Sequence, residues 1–118
     1  WTTLENYLIA NGYNYDQTTT ENKIAKAMAS TTGWSTSTNT GAVGNDQSLN
    51  NSSGFNAFPE GARYDDGSQN EGYSAIFWSS TEFNTNNAWF RDLYFNLSYL
   101  NRYYYNKRNG FSVRFVRD

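Results

Sequence analysis

The chain contains neither cysteine nor histidine among its 118 residues. Without cysteine, the chain can form no disulfide and no thiolate metal site. Without histidine, it lacks the commonest general base and the commonest metal ligand. Every Ser-His or Cys-His nucleophile pair is therefore excluded.

Charge and long apolar runs are also scarce. Charged residues make up 17% of the chain and the net charge is −2, which argues against a nucleic-acid partner. No apolar run approaches the length of a membrane span, so we expect no direct membrane insertion by this segment. The chain opens on Trp1 without an initiating methionine, and we expect a targeting segment to lie upstream.

Aromatic residues are abundant by contrast. They make up 19% of the chain, whereas all hydrophobic residues together reach only 37% and the mean hydropathy is −0.83. A few large side chains must therefore bury most of the apolar surface. We expect a single domain over residues 1–118, which at this length buries roughly 65% of its unfolded surface.

The first residues predict a short helix. Trp1, Leu4 and Leu8 recur at helical spacing, and the pair Asn11–Gly12 is a typical stop signal.

A second helix is predicted from residue 18 onwards. Thr18 stands three residues before Glu21, the spacing of a capping box, and this helix should end before Gly33. Its apolar stripe consists of Ile24, Ala27 and Met28.

The segment 34–54 consists largely of Ser, Thr, Asn and Gly, which predicts a long irregular loop. We expect Trp34, Val43 and Leu49 to anchor this loop. The triplet Asp65-Asp66-Gly67 further along predicts a turn.

The C-terminal half predicts strands. One covers 74–78, and a last one covers 111–116 with Phe111, Val113 and Phe115 on one side. Between them, side chains alternate between the two faces of a strand. The side chains expected to face inward are those of Trp89, Arg91, Leu93 and Phe95. Those expected to face outward are Phe90, Asp92, Tyr94 and Asn96. We expect Arg91 to pair with a carboxylate or stack on a ring. Helices followed by antiparallel strands and long loops indicate the α+β class.

The stretch 83–109 uses a narrow alphabet dominated by asparagine, tyrosine and phenylalanine. Tyrosine offers rigid amphipathic contact area and asparagine offers adaptable hydrogen bonding, the chemistry of a paratope. We expect the loop 97–106 to extend this surface, with Leu100 turned inward.

Four segments of this sequence resemble a known family. WTTLENYL at 1–8, GFNAFPEG at 54–61, FWSST at 77–81 and GFSVRFVRD at 110–118 are similar to the Fibrobacter succinogenes major paralogous domain. The resemblance implies a C-type-lectin-like fold with two helices, a small antiparallel sheet and long loops. It also implies a place on bacterial surface lipoproteins or pilus-tip-like proteins. The family usually has a further upstream segment with an early strand, and often a cysteine at the position of Phe115.

The window between FWSST and GFSVR resembles the variable region of proteins diversified by retroelements. There, Asn codons are copied with errors at adenines, and the products include Tyr, Phe, Leu, Ser, Asp, Ile and Arg. The resemblance implies a diversified binding surface at about 83–109, extended by two residues of an earlier strand. The implied ligand-binding residues are Ser74, Ile76, Phe90, Asp92, Tyr94, Asn96, Leu97, Tyr99, Asn101, Tyr103, Tyr104, Tyr105 and Arg108.

Plainer interpretations stay open at this point. Tyr103–Tyr105 could be half-buried strand residues, and Phe90 and Leu97 could belong to the core. The basic residues of the last third, interleaved with tyrosine, could contact nucleic acid. Calcium could bind at Asp65, Asp66 and Glu71, and paired carboxylates could hydrolyse glycosides.

The expected function is non-catalytic ligand binding on a bacterial cell surface, without cofactor or metal. The partner would be a protein or glycan on host or other cells, with no role for nucleic acid. Two alternatives remain: a structural surface or pilus-associated module of the same family without a diversified site, and an enzyme related to formylglycine-generating proteins. The absence of cysteine argues against the latter chemistry.

Overall fold

Three antiparallel strands in the C-terminal half carry most of the regular structure. The computed structural model describes residues 1–117; Asp118, the last residue of the predicted domain, lies outside them. The elements are helix α1 (Thr2–Ala10), helix α2 (Ala25–Met28), a 3-10 turn (Gln47–Leu49), and strands β1 (Ser74–Glu82), β2 (Asn87–Tyr94) and β3 (Asn101–Asn106). The predicted α+β class is confirmed.

The strands form one sheet in the order β1-β2-β3. Phe77 pairs with Arg91, and Arg91 pairs with Arg102, so these three side chains lie on one face. Side chains one residue away, such as Phe90 opposite Tyr103, lie on the other face. The two faces of the sheet therefore carry different sets of side chains.

Helix α1 confirms the first prediction. Leu8 is buried, and the helix ends at Asn11, whose side-chain amide donates to the carbonyl of Tyr7 at 2.8 Å. Gly12 then adopts a φ of 77°, which glycine tolerates without steric cost and which lets the chain turn away.

The predicted start of the second helix is wrong. The Thr18 hydroxyl donates to Asp16 instead of capping a helix, and Glu21 has a left-handed φ of 62°. The buried side chain of Asn14 organises this loop by donating to the carbonyls of Thr20 and Glu21. Helix α2 consequently spans only four residues, although its predicted apolar stripe is buried.

The loop 34–54 is irregular as predicted, apart from the 3-10 turn. Trp34 and Val43 are buried anchors, but the prediction for Leu49 is wrong because this side chain is 66% exposed. The buried amine of Lys26 holds the loop by donating to the carbonyls of residues 42, 45 and 46. The side chain of Asn50 adds hydrogen bonds to the carbonyls of residues 30 and 43.

The main core lies between the helices, the loop 34–54 and one face of the sheet. Its largest fully buried side chains are Ile24, Met28, Leu93 and Val43. Leu100 is buried here as predicted. Arg91 confirms its predicted pairing, because its Nε donates to Glu5 of helix α1 at 2.6 Å. This ion pair joins the helix to the middle strand.

The predicted last strand does not form, and the predicted loop before it is partly a strand. Beyond Ser112, which bridges to Phe77, residues 113–117 have no strand pairing, and Phe115 is 90% exposed. Arg114 lies over the ring of Phe55, 4.2 Å from its centroid. Strand β3 instead falls within the predicted loop 97–106, because it pairs with β2 through six successive residues.

Within residues 1–117, no helix combines the length and the apolar character that crossing a bilayer requires.

Candidate functional site

The sheet face that points away from the main core forms a concave pocket of about 350 Å³. Eight of the thirteen residues predicted to bind ligand line this pocket. They are Ser74, Ile76, Phe90, Asp92, Tyr94, Asn101, Tyr103 and Tyr105. The pocket therefore collects residues from all three strands.

Strand register explains why these residues meet. Ile76 of β1 lies opposite Asp92 of β2, which lies opposite Asn101 of β3. The next row on the same face holds Phe90 and Tyr103, two residues along each strand. Since alternate side chains of a strand share a face, each row adds to the same surface.

Aromatic rings form one side of the pocket. The ring centroid of Tyr64 lies 6.1 Å from that of Tyr105 and 6.2 Å from that of Phe111. Tyr103 and Tyr105 are 55% and 46% exposed, so both reach solvent. These distances and edge-on angles are typical of favourable aromatic contacts.

The floor is apolar, and here one prediction is wrong. Phe90 was expected to face solvent, but it is only 9% exposed and belongs to a second hydrophobic cluster with Ala62 and Ile76. The ring of Phe111 packs against it at 5.3 Å. The open alternative, that Phe90 is a core residue, is the correct one.

Asp92 supplies the only charge among the residues that line the pocket. Its carboxylate accepts a hydrogen bond from the side-chain amide of Asn101 at 2.9 Å. Burial raises the pKa of the Asp92 carboxyl, and the hydrogen bond from Asn101 partly opposes this shift. Burial, followed by the charges of Tyr105 and Asp92, also raises the pKa of Tyr64.

Asn70 contributes polar groups at the pocket edge. Its amide nitrogen donates to the hydroxyls of Ser74 at 2.6 Å and of Tyr64 at 3.3 Å. Its carbonyl oxygen is buried and has no hydrogen-bond partner within residues 1–117.

Three lining residues were missed by the sequence analysis: Tyr64, Asn70 and Phe111. Tyr64 and Asn70 flank the predicted turn at 65–67, which does form, and Gly67 donates to the carbonyl of Tyr64 there. An aromatic and an amide residue flanking a tight turn were a usable signal. Phe111 was assigned to a strand that does not exist.

Five predicted residues lie outside the pocket: Asn96, Leu97, Tyr99, Tyr104 and Arg108. Tyr104 pairs with Trp89 on the opposite face, and its ring stacks on Phe83 with centroids 3.8 Å apart. Trp89, predicted to face the core, is half-buried there beneath the guanidinium of Arg102.

The remaining members of that group lie near the strand ends. Leu97 is half-buried, and its carbonyl accepts from Val43 at 3.2 Å. Asn96 is half-buried as well, whereas Tyr99 and Arg108 are exposed. Tyr99 and the two half-buried residues follow strand β2 and do not line the pocket.

The turn considered for calcium has another role. The carboxylate of Asp66 accepts hydrogen bonds from the backbone and hydroxyl of Ser68, and these bonds lower its pKa. Across the part of the chain that the structure describes, no three acidic residues lie together as metal ligands would.

Comparison with known proteins gives one finding on ancestry. The model of the Fibrobacter succinogenes major domain matches residues 1–117. No curated protein and no solved structure gives a significant match. Since the match covers nearly the whole chain, including all of the four segments noted in the sequence except Asp118, the protein belongs to the Fibrobacter succinogenes major domain family.

Proposed function

We propose that this protein is a non-catalytic ligand-binding domain displayed on a bacterial surface protein. Its ligand would be a protein or glycan on host or other cells, bound by the tyrosine and asparagine residues of the sheet pocket. We further propose that codons within 83–109 are diversified by a retroelement, so that the ligand differs between variants. A surface lipoprotein or adhesin is the proposed parent molecule.

One observation supports this proposal above all. Eight of the residues that the resemblance and strand alternation implied, from three strands separated in sequence, line a single pocket. The interleaved residues Arg91 and Leu93 are buried in the opposite face. This arrangement allows one set of side chains to vary while the other holds the fold.

We infer a C-type-lectin-like scaffold from the family resemblance. The two helices, the three-stranded antiparallel sheet and the long anchored loop 34–54 agree with that inference. In this scaffold the loop would support the sheet, and the pocket would lie on its outer face.

Substitution of the exposed tyrosines tests the proposal. Tyr103→Ala and Tyr105→Ala should abolish or greatly weaken binding to a partner found on a protein or glycan array, because exposed aromatic residues dominate such interfaces. Tyr7→Ala is the matched control, since Tyr7 on helix α1 is 58% exposed and lies outside the pocket. Equal binding by all three variants would contradict the proposal.

A second candidate function is a structural surface module without a diversified site. The burial of Phe90 and Ile76 in a hydrophobic cluster favours it, because these two predicted binding residues serve the core. Under this candidate, the array would give no partner whose binding depends on Tyr103 or Tyr105.

A further inference from the structure

We propose that the sheet pocket binds an organic ammonium group of its ligand, with Asp92 as the counter-charge and aromatic rings as the wall. This inference rests on the proposed function, because it names the chemistry that the same site recognises. Three observations lead to it: an unpaired carboxylate, an aromatic wall and the lack of any competing cation.

The carboxylate of Asp92 has no cationic partner within residues 1–117. None of the ion pairs there includes it, and no lysine or arginine lines the pocket. The nearest arginines in the strand register, Arg91 and Arg102, lie on the opposite face, where they contact Glu5 and Trp89. A partly buried carboxylate without a counter-charge costs free energy, which a bound cation would recover.

Aromatic rings line the same pocket as this carboxylate. Tyr64, Tyr105 and Phe111 have mutual centroid distances between 6.1 and 6.3 Å. Because ring faces carry negative charge density, such a wall attracts cations, and substituted ammonium groups fit it best. The charge of Asp92 also contributes to the raised pKa of Tyr64, and both residues line the pocket.

The same chemistry selects an organic cation over a metal ion. Calcium requires six to eight oxygen ligands, whereas the pocket offers one carboxylate with neutral hydroxyls and amides. An ammonium group needs only one counter-charge and an apolar, aromatic surface for its carbon substituents. A lysine-derived or choline-like group on a protein or glycan meets that requirement.

A titration followed by NMR tests the inference with two small probes of nearly the same shape. Choline carries the quaternary ammonium, and 3,3-dimethylbutan-1-ol carries a carbon atom in its place. We expect choline to shift the amide signals of pocket residues, with a Kd about ten-fold lower than that of the neutral alcohol. Asp92→Asn should bring the two Kd values within about two-fold, because the charge is removed while the bond from Asn101 can remain.

Two further variants make the result decisive. Asp65→Asn removes a carboxylate from the exposed turn and should leave the preference for choline unchanged. Tyr64→Leu removes one ring of the wall without altering charge and should raise the Kd of choline several-fold. Both variants keep the Asp92 carboxylate. An effect of substitution on the folding of the domain can therefore be separated from the effect of removing the charge of Asp92.

The inference is overturned if choline and the alcohol bind equally to the unaltered domain, if neither binds, or if Asp92→Asn keeps the preference. Equal binding of the two probes would leave the proposed ligand-binding function standing. Failure of that function would be recognised separately, by partner binding that does not depend on Tyr103 or Tyr105.

Discussion

Two residues that face each other across the β2–β3 ladder differ in how far they are buried. Phe90 and Tyr103 face each other on β2 and β3, yet Phe90 is 9% exposed and Tyr103 is 55% exposed. Phe90 packs against Phe111 and Trp78, whereas Tyr103 lies on the edge strand β3 and its ring stacks on that of Tyr104 with centroids 4.8 Å apart. Burial at this pair is therefore decided by residues outside the two strands.

Alanine substitution should separate the two residues. Phe90→Ala should lower the free energy of unfolding by about 3–4 kcal/mol, because it leaves a cavity in the second cluster. Tyr103→Ala should change it by less than about 0.5 kcal/mol, as surface substitutions usually do. Chemical denaturation measures both values, and similar losses for the two variants would show that Tyr103 is a core residue.

The carboxylate of Asp92 should reduce stability at neutral pH. Burial raises its pKa above the value in the unfolded chain, so the folded state binds this proton more readily. The cost is present above the folded pKa and disappears below the unfolded pKa of about 3.9. Stability contributed by this residue therefore falls as the pH rises.

The variant Asp92→Asn should raise the Tm at pH 7 by about 2–5 °C, which corresponds to roughly 1 kcal/mol in a domain of this size. Below about pH 4 the gain should vanish, because the carboxyl is then protonated in both states. Calorimetry of both proteins over this pH range measures the difference. A constant gain at every pH would mean that the charge of Asp92 is not the cause.

The burial of individual residues was predicted correctly where the local sequence pattern determines it. Leu93, Arg91 and Leu100 are buried as alternation and hydrophobicity predicted. The prediction failed at Phe90, because its covering residues Ala62 and Phe111 lie about twenty or more positions away in sequence. Alternation assigns a side chain to a face but does not say what covers that face.

At the scale of elements, one ion pair connects helix α1 to the sheet. The guanidinium of Arg91 and the carboxylate of Glu5 are 4% and 14% exposed, so solvent screens them little. The hydroxyl of Thr2 adds a weaker contact at 3.4 Å. The helix is otherwise held by the partly buried Trp1 and Leu4 and by the buried Leu8.

Removal of this connection should destabilise the fold. Glu5→Gln leaves the Arg91 guanidinium buried without a counter-charge and should cost about 3 kcal/mol. Glu82→Gln is the matched control, since Glu82 pairs with Lys107 at an exposed position and should change stability by less than about 1 kcal/mol. Equal effects in urea denaturation would contradict the role assigned to the buried pair.

A helix was predicted correctly where the local sequence signals for its start and end were strong. Helix α1 has its apolar spacing and its stop within eleven residues, and it was predicted almost to its bounds. The capping-box spacing at Thr18 misled because the Asp16 carboxylate accepts hydrogen bonds from the backbone N–H and the hydroxyl of Thr18, and the Asn14 amide donates to the same hydroxyl. Such competition depends on the folded loop, and sequence spacing does not reveal it.

The two errors near the C-terminus have a common cause. Apolar and polar residues alternate clearly in 111–116, whereas Tyr103–Tyr105 interrupt the alternation in 101–106, so the pattern favoured the wrong segment. A turn at Phe95–Asn96, closed by the hydrogen bond from Leu97 N–H to the carbonyl of Tyr94, and the hydrogen bonds between Leu100 and Asn22 bring β3 alongside β2. The later segment leaves the sheet after Ser112 and has no strand pairing in residues 113–117.

For the whole molecule, the site was more predictable than the fold around it. Residue chemistry and the family resemblance identified most of the pocket, because the strands β2 and β3 that supply it lie within 83–109. The contributions of Tyr64, Asn70 and Phe111 come from outside that window and depend on tertiary contacts. The pocket thus combines residues of the segment 83–109 with residues from elsewhere in the chain.

The nucleotide sequence around the coding region tests the central claim most directly. The claim predicts a second, near-identical copy of the segment for 83–109, with differences only at adenines and a reverse transcriptase gene beside it. Those differences should fall in codons of pocket residues such as Asp92, Tyr94 and Tyr103, and spare those of the buried Arg91 and Leu93. If no such copy exists, or if the differences fall evenly on buried and pocket codons, the account of a diversified binding surface is wrong.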